Sequence, residues 1–253
     1  MANDGKFPSE VVDLPSGGKC YPKDSPLRDG KLEVKYMTAK EEDILTSKNL
    51  ISKGVVIERV LDSLILTEGV TCDDLVLGDK NALMVTARIL AYGPEYTCEI
   101  KPGGEDSKPI THTFNLADCK FKELPKDIDY SSGQWELTLP ASKKKVTTKL
   151  LTGKDEKIIA DELKAIEKVS GLTTSEITTR LRYMVTSVDG DNSQAAINDF
   201  SQNCLARDSL AIRSFQTDIA PDIEMKQEIE WEGRIVKVDI PLTIQFFWPS
   251  TGG

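Results

Sequence analysis

Histidine is almost absent from this sequence of 253 residues, in which His112 is the only one. A serine or cysteine nucleophile needs a base beside it, most often histidine, and no nucleophile pattern accompanies His112. We therefore expect His112 to be structural, and the sequence predicts neither catalytic residues nor an enzyme. Carboxylates are plentiful, but the run Glu41-Glu42-Asp43 is typical of a helix entry rather than of a catalytic pair.

Paired cysteine motifs are also missing. The five cysteines are widely spaced and form no C-x-x-C pair, which favours reduced thiols over a disulfide framework or a zinc ribbon. The run from Asp189 to Asp191 begins like a calcium loop, but Gln194 and Phe200 stand where that loop needs glycine and a bidentate glutamate. The sequence thus predicts no metal and no cofactor-binding residue.

Long apolar runs and an excess of basic residues are two further absences. No run approaches the roughly 20 residues of a membrane span, and the sequence begins without an apolar secretory core. The net charge is -9, from 41 acidic and 32 basic residues, which disfavours contact with phosphate backbones. We expect neither a membrane nor a nucleic acid as a partner, and we expect synthesis in a cytoplasm.

Helical and strand periodicities alternate along the chain, which predicts an α+β fold of two helical modules with β-hairpins. Residues 1–31 are rich in proline and glycine and predict an N-terminal arm with a short hairpin. In that hairpin, residues 10–14 would pair with residues 19–21 across the turn from Ser16 to Gly18. Residues 32–120 predict a three-helix module plus a β-hairpin.

Three amphipathic segments define the first helical module. Thr38 and Glu41 have the spacing of a capping box, so a helix is predicted to begin there after a strand. The apolar segment 55–66 predicts a second helix. A third is predicted to begin with Asp79 as its N-cap and to stop at Gly93. Alternation in residues 96–100 and 110–116 then predicts a hairpin.

The second half of the chain repeats this mixture. Residues 121–152 predict a β-rich connector with strands at 134–139 and 144–151. Residues 153–220 predict a helical module whose four helices are centred on the segments 158–166, 177–185, 195–200 and 210–215, with breaks at Gly171, 189–191 and 206–208. Residues 221–253 predict a C-terminal β-hairpin around Glu232-Gly233, followed by an aromatic tail.

Several separate stretches resemble the baseplate hub family of T-even-like contractile-tailed bacteriophages. The resemblance covers most of the chain, and its landmarks occur in the expected order. They are Leu14 to Pro22 (LPSGGKCYP), Tyr36 to Leu45 (YMTAKEEDIL), Gly78 to Ala82 (GDKNA), Ala91 to Tyr96 (AYGPEY), Ala206 to Arg213 (ARDSLAIR), Ala220 to Ile223 (APDI) and Pro241 to Pro249 (PLTIQFFWP).

The resemblance implies a hub subunit or a hub assembly factor. It also implies two hairpins that carry C-x-x-C zinc ribbons in relatives. This sequence departs from that pattern, because Lys101 lies three residues after Cys98 and the second hairpin has no cysteine. The C-terminal hairpin is therefore predicted to be ribbon-like and metal-free. A short two-stranded unit is marginal alone, so aromatic packing on the body or on a neighbouring subunit would have to stabilise it.

These features lead to two hypotheses of function. The first is a structural component of the virion's tail baseplate, made in the host cytoplasm, in a hetero-oligomeric assembly with other baseplate and hub proteins. The second is a hub assembly chaperone that is absent from the mature virion. In either case the aromatic tail would be an internal staple on the core or an exposed anchor in a partner. The candidate partner-binding residues are Tyr21, Trp231, Phe246, Phe247 and Trp248.

Overall fold

The computed structural model describes residues 8–104, 107–170, 175–242 and 244–247. Within those ranges the fold is α+β with antiparallel hairpins, as predicted. The helices are α1 (Ala39–Leu45), α2 (Lys48–Lys53), α3 (Val56–Leu64), α4 (Leu77–Tyr92), α5 (Gly153–Ser170), α6 (Glu176–Met184), α7 (Gln194–Asn203) and α8 (Ala206–Ile219). The strands are β1 (Ser9–Asp13), β2 (Lys31–Lys35), β3 (Glu95–Ile100), β4 (Ile110–Asn115), β5 (Trp135–Thr138), β6 (Lys145–Thr148), β7 (Val185–Val188), β8 (Lys226–Trp231) and β9 (Arg234–Asp239).

The described part of the predicted N-terminal arm, residues 8–31, packs on its own chain. Strand β1 pairs antiparallel with β2, so the predicted pairing of residues 10–14 with 19–21 is wrong. The intervening chain forms a compact loop that ends in a short 3-10 helix, Pro26–Asp29. Glycine makes this loop possible, because a Cβ on Gly18 would lie 2.0 Å from the Arg28 carbonyl oxygen. The loop buries Leu14, Tyr21 and Leu27 in the main core.

The predicted capping box is present at the start of α1. The Thr38 N–H donates to Glu41 Oε2 at 2.9 Å, and the Thr38 hydroxyl donates to the same carboxylate oxygen at 2.6 Å. Helix α3 confirms the second predicted helix, whereas the short helix α2 was not predicted. Helix α4 ends before Gly93 as expected, but its N-cap is Val76 rather than Asp79.

Both predicted hairpins are confirmed. Strand β3 pairs with β4 over six residue pairs, and β8 pairs with β9 over six. Glu232 and Gly233, between β8 and β9, both have positive φ, at 51° and 73°. Two consecutive positive φ values are the signature of the two-residue turn that matches the twist of a hairpin.

The predicted connector and second helical module form one unit. The two connector strands β5 and β6 are joined by β7 in a three-stranded sheet. The prediction of a helix through Val185 is therefore wrong, because the chain enters β7 at that residue. The predicted break at 206–208 is also displaced, since α8 begins at Ala206. Gly171 lies outside the described residues.

Two hydrophobic clusters stabilise the described chain. The larger one extends from Leu14 to Phe247 and combines the first four helices with the hairpins. The smaller one lies between the three-stranded sheet and the helices of the second unit. Leu137 in β5 packs against both clusters, so the two units are joined by apolar contact as well as by chain connection. The smaller cluster consists of Leu139, Val146, Leu181, Val185, Val188, Ile197, Phe200 and Ile212.

Candidate interaction surfaces

The aromatic tail folds back onto its own chain. Phe246 and Phe247 are only 1% and 2% exposed. The Phe246 ring packs edge-on against Tyr96 in β3, with centroids 4.9 Å apart. Of the two alternatives for the tail, the internal staple is therefore confirmed for these two side chains, and the exposed anchor is wrong for them. Trp248 lies outside the described residues.

Arg88 fastens the tail to helix α4. Its Nε donates to the Phe246 carbonyl oxygen at 3.0 Å. Its two terminal nitrogens donate to the carbonyl oxygens of Gly93 and Glu95, each at 3.1 Å. The guanidinium also lies over the Tyr92 ring, 5.0 Å from its centroid. The sequence analysis missed Arg88. Its position next to Ala87, on the predicted apolar face of the third helix, was a signal that this arginine is buried.

Tyr21 is also a core residue rather than an exposed anchor. Its hydroxyl donates to Asp79 Oδ2 at 2.6 Å and accepts from the Val76 N–H at 3.1 Å. The Ser16 N–H donates to the other Asp79 carboxylate oxygen at 2.9 Å. Burial raises the pKa of Tyr21, and the Asp79 carboxylate raises it further. This network joins the N-terminal loop to the first turn of α4, so Tyr21, a candidate partner-binding residue, is buried within its own chain.

Trp231 lies at the end of β8, where the two long hairpins pack against each other. A Cβ on Gly103, in the turn after β3, would lie 2.7 Å from Trp231 Cη2, so the indole covers that turn closely. Nearby, Gln227 Nε2 donates to the Asn115 carbonyl oxygen at 2.8 Å. The hairpins thus stabilise each other through side chains. Trp231 remains partly exposed, which leaves part of its ring available to a neighbour.

The single histidine lies opposite a cysteine. Cys98 and His112 are partners in the β3–β4 register, and the His112 ring packs on Phe114 with centroids 4.7 Å apart. Burial raises the pKa of the Cys98 thiol, which keeps it protonated, whereas a nucleophilic cysteine needs a lowered pKa. Within the described ranges, no group of three or more His, Cys, Asp or Glu side chains is placed to hold a metal ion.

A cleft of about 370 Å³ opens between the two units. Its walls are mainly apolar and include Leu77, Leu150 and Met184, with Arg180 among the polar lining residues. Arg180 is engaged by the carboxylates of Glu156 and Glu176. Its charge is therefore compensated within the chain, which disfavours the cleft as an anion site.

A second, larger groove adjoins the cleft along β8. It measures about 900 Å³ and mixes acidic with basic side chains, including Asp118, Lys120 and Glu224. Both cavities are lined by Lys122. The Lys122 ammonium donates to the carbonyl oxygens of Thr217, Asp218 and Ala220, so it caps the C-terminus of α8. The mixed charge favours a polar protein surface over a single charged ligand.

The most exposed large apolar side chains lie on strands at the edges of hairpins. Ile235 in β9 is 74% exposed, and Val11 in β1 is 62% exposed. Leu205, Leu210 and Ile177 in the second unit follow, with about half of each side chain exposed. The described apolar surface is therefore dispersed rather than gathered around either cavity.

Comparisons of this chain with family models, with curated proteins and with solved structures found no match. Among the described residues, no helix is both long enough and apolar enough to span a bilayer. The interpretation of function accordingly depends on the residues and on the geometry of the surfaces above.

Proposed function

We propose that this protein is a structural component of the baseplate of a contractile phage tail, at or near the hub, and that it acts through protein–protein contacts. The observation that carries the proposal is the pair of hairpins β3–β4 and β8–β9. They occupy the chain positions at which the resemblance places zinc ribbons, and here side-chain packing stabilises them. A paired-hairpin unit that lacks the C-x-x-C pairs and is held by side-chain packing supports a role for its shape and surface.

The outer face of the C-terminal hairpin supports contact with a polar protein surface. Lys226 lies 3.6 Å from Asp239, and Lys237 lies 3.5 Å from Glu228, so exposed charges of both signs alternate across the strands. Exposed pairs of this kind add little to stability. They are well suited to selecting a partner with a complementary pattern. Trp231, at the end of the same hairpin, adds the type of aromatic residue that is enriched at interfaces.

The proposed partners are other baseplate and hub proteins, the proposed location is the virion tail, and the proposed assembly is hetero-oligomeric. The first test is quantitative mass spectrometry of purified virions of the phage that encodes this chain, scored against a tail protein of known copy number. A fixed stoichiometric ratio is expected for a structural subunit. Presence in hub intermediates with absence from virions would instead support the assembly chaperone, and absence from both would overturn the phage assignment.

The Trp231 surface has its own test, in which Trp231→Ala is compared with Leu210→Ala in complementation of a phage that lacks the gene. Both side chains are partly exposed, but only Trp231 belongs to the paired hairpins. We expect Trp231→Ala to lower incorporation into virions and Leu210→Ala to leave it unchanged, with both variants giving the wild-type circular dichroism spectrum. Equal incorporation of the two would remove Trp231 from the contact surface.

A further inference from the structure

Strand β1 has an unpaired edge among the described residues. The Tyr36 N–H donates to the Pro8 carbonyl oxygen and the Leu14 N–H donates to the Gly30 carbonyl oxygen, so these contacts bracket the β1–β2 ladder. Antiparallel ladders alternate hydrogen-bonded and non-hydrogen-bonded pairs. Ser9, Val11 and Asp13 therefore direct their backbone N–H and C=O groups away from β2.

Strand β9 has a second edge of this kind. The Ile240 N–H donates to the Met225 carbonyl oxygen at 2.7 Å, which fixes the hydrogen-bonded pairs of the β8–β9 ladder. By the same alternation, Ile235, Lys237 and Asp239 direct their backbone groups away from β8. The other edge at the base of this hairpin is occupied, since the Glu224 N–H donates to the Lys120 carbonyl oxygen. Strand β9 is therefore the outer strand.

Each open edge carries an exposed apolar side chain, Val11 at the centre of β1 and Ile235 at the second position of β9. Val11 and Ile235 have the highest exposed fractions among the large apolar residues of the described chain. An open strand edge with an exposed apolar residue is a template for pairing with another strand. Both features occur on β1 and again on β9.

The charges of the two strands are complementary. Strand β1 carries Glu10 and Asp13 and no basic residue, whereas β9 carries Arg234 and Lys237. Lys237 and Asp239 each lie close to an opposite charge on β8, Glu228 and Lys226, so Arg234 is the charge of β9 that bears on the choice of partner strand. If Val11 lies opposite Ile235, Glu10 lies diagonally across the strands from Arg234, within reach of two long side chains of opposite charge. Centring β1 on its own copy would instead place Glu10 diagonal to Glu10, and centring β9 on its own copy would place Arg234 diagonal to Arg234. Pairing of β1 with β9 is thus favoured over pairing of either strand with its own copy.

We propose that β1 of one copy of this chain pairs antiparallel with β9 of a second copy, with Val11 packed against Ile235. The β1–β2 and β8–β9 hairpins then form one four-stranded sheet across the boundary between copies. The two surfaces differ, so the contact is heterologous, and repetition gives a ring if the rotation closes or a filament if it does not. This inference concerns copies of the chain alone and does not depend on the proposed phage function.

The test is sedimentation of the full chain with two matched variants, Val11→Pro and Ile235→Pro. Proline removes an N–H that points away from the hairpin in each case, so the pairing within the chain is retained. We expect the wild type to form oligomers with increasing concentration up to about 100 µM, and each variant alone to stay monomeric. An equimolar mixture of the two is expected to stop at a heterodimer, because one variant keeps β9 intact and the other keeps β1 intact.

Three results would overturn the proposal: a monomeric wild type over that range, a proline variant that sediments like the wild type, or a mixture that remains monomeric. Leu210→Lys, on the exposed face of α8, is the control and should behave like the wild type. If circular dichroism shows that a proline variant is unfolded, Val11→Lys and Ile235→Glu replace the pair. They place like charges against the opposing strand and carry the same expected outcomes.

Discussion

At the scale of single residues, two buried ionisable side chains, Arg88 and Asp79, bind segments that are distant from them in sequence. Arg88 is 4% exposed and donates to three backbone carbonyl oxygens. Asp79 is fully buried and accepts from one backbone N–H and one tyrosine hydroxyl. A buried charge is tolerated only when its hydrogen-bonding capacity is satisfied. These two residues therefore fix the positions of the segments that they bind, which are the tail and the N-terminal loop.

Replacing Arg88 by lysine is expected to destabilise the protein by about 2–4 kcal/mol. Lysine keeps the charge but lacks the planar fork that reaches Phe246, Gly93 and Glu95 together. Urea denaturation measures the free energy of unfolding, and Arg207→Lys, at an exposed position of α8, is the matched control with an expected change within about 0.5 kcal/mol. Equal stability of the two variants would contradict the proposed role of Arg88.

Glu41 makes stability depend on pH. Burial by itself raises the pKa of this carboxyl, but hydrogen bonds from Lys35 and Thr38 outweigh it and lower the pKa from 4.5 to about 2. The unfolded chain therefore takes up the proton first as the pH falls. The stabilisation is complete above pH 4.5 and is lost as the pH falls towards about 2.

We therefore expect Glu41→Gln to be less stable than the wild type at pH 6, with a difference that shrinks as the pH is lowered to about 3. The measurement is the urea midpoint at a series of pH values. Glu68→Gln, at an exposed position, is the control and should follow the wild type throughout. A difference that stays constant with pH would show that the ion pair does not cause it.

At the scale of elements, glycines in the first turns of two helices allow neighbouring backbone to approach closely. Gly78 in the first turn of α4 lies against the chain after α8, and a Cβ there would be 1.8 Å from the Pro221 carbonyl oxygen. Gly153 starts α5 in the same way, since a Cβ would be 2.2 Å from the Cys72 carbonyl oxygen. These two contacts set how closely α4 and α5 approach neighbouring backbone, which a larger residue would prevent.

Gly78→Ala is accordingly expected to cost about 3 kcal/mol, because the opposing atom is backbone and cannot move aside as a flexible side chain would. Gly69→Ala is the comparison, since Gly69 has φ of 74° but open space around it. It should cost only the strain of a left-handed residue, about 1 kcal/mol. Thermal unfolding of both variants separates the two causes, and a smaller loss at Gly78 than at Gly69 would refute the packing argument.

At the scale of the whole molecule, segments from both ends of the described chain meet in one core. Leu14 and Tyr21 near the start and Phe246 and Phe247 near the end belong to the same hydrophobic cluster. Truncation of either end is therefore not the neutral change that an arm or a free tail would allow. The smaller cluster, around Val146 and Ile212, contains neither end.

Phe246→Ala is expected to lower the free energy of unfolding by about 3–5 kcal/mol, because it removes a fully buried ring and leaves a cavity between Tyr96 and Phe247. Leu210→Ala, at a half-exposed position, should change it by less than about 0.5 kcal/mol. Chemical denaturation followed by tryptophan fluorescence measures both. A stable Phe246→Ala variant would show that the tail is not part of the core in solution.

Local interactions determined most of the helices and hairpins of this protein. The Thr38–Glu41 capping box, the glycine stop at Gly93 and the alternating strands around Glu232-Gly233 each depend on residues within one turn or one hairpin. Such features need no knowledge of distant chain segments, because the hydrogen bonds and dihedral angles that define them are local. For that reason the helices and hairpins were largely predictable from sequence.

Tertiary structure alone decided which segments meet. Strand β1 pairs with β2 across the loop from Leu14 to Gly30. Strand β7 begins at Val185, within a segment of helical periodicity, and forms the third strand of a sheet. The sequence does not show whether Tyr21 and Phe246 are buried or exposed, since an aromatic side chain suits a core and an interface equally. Their burial depends on Asp79 and Arg88, which lie far away in sequence and become partners only when the chain has folded.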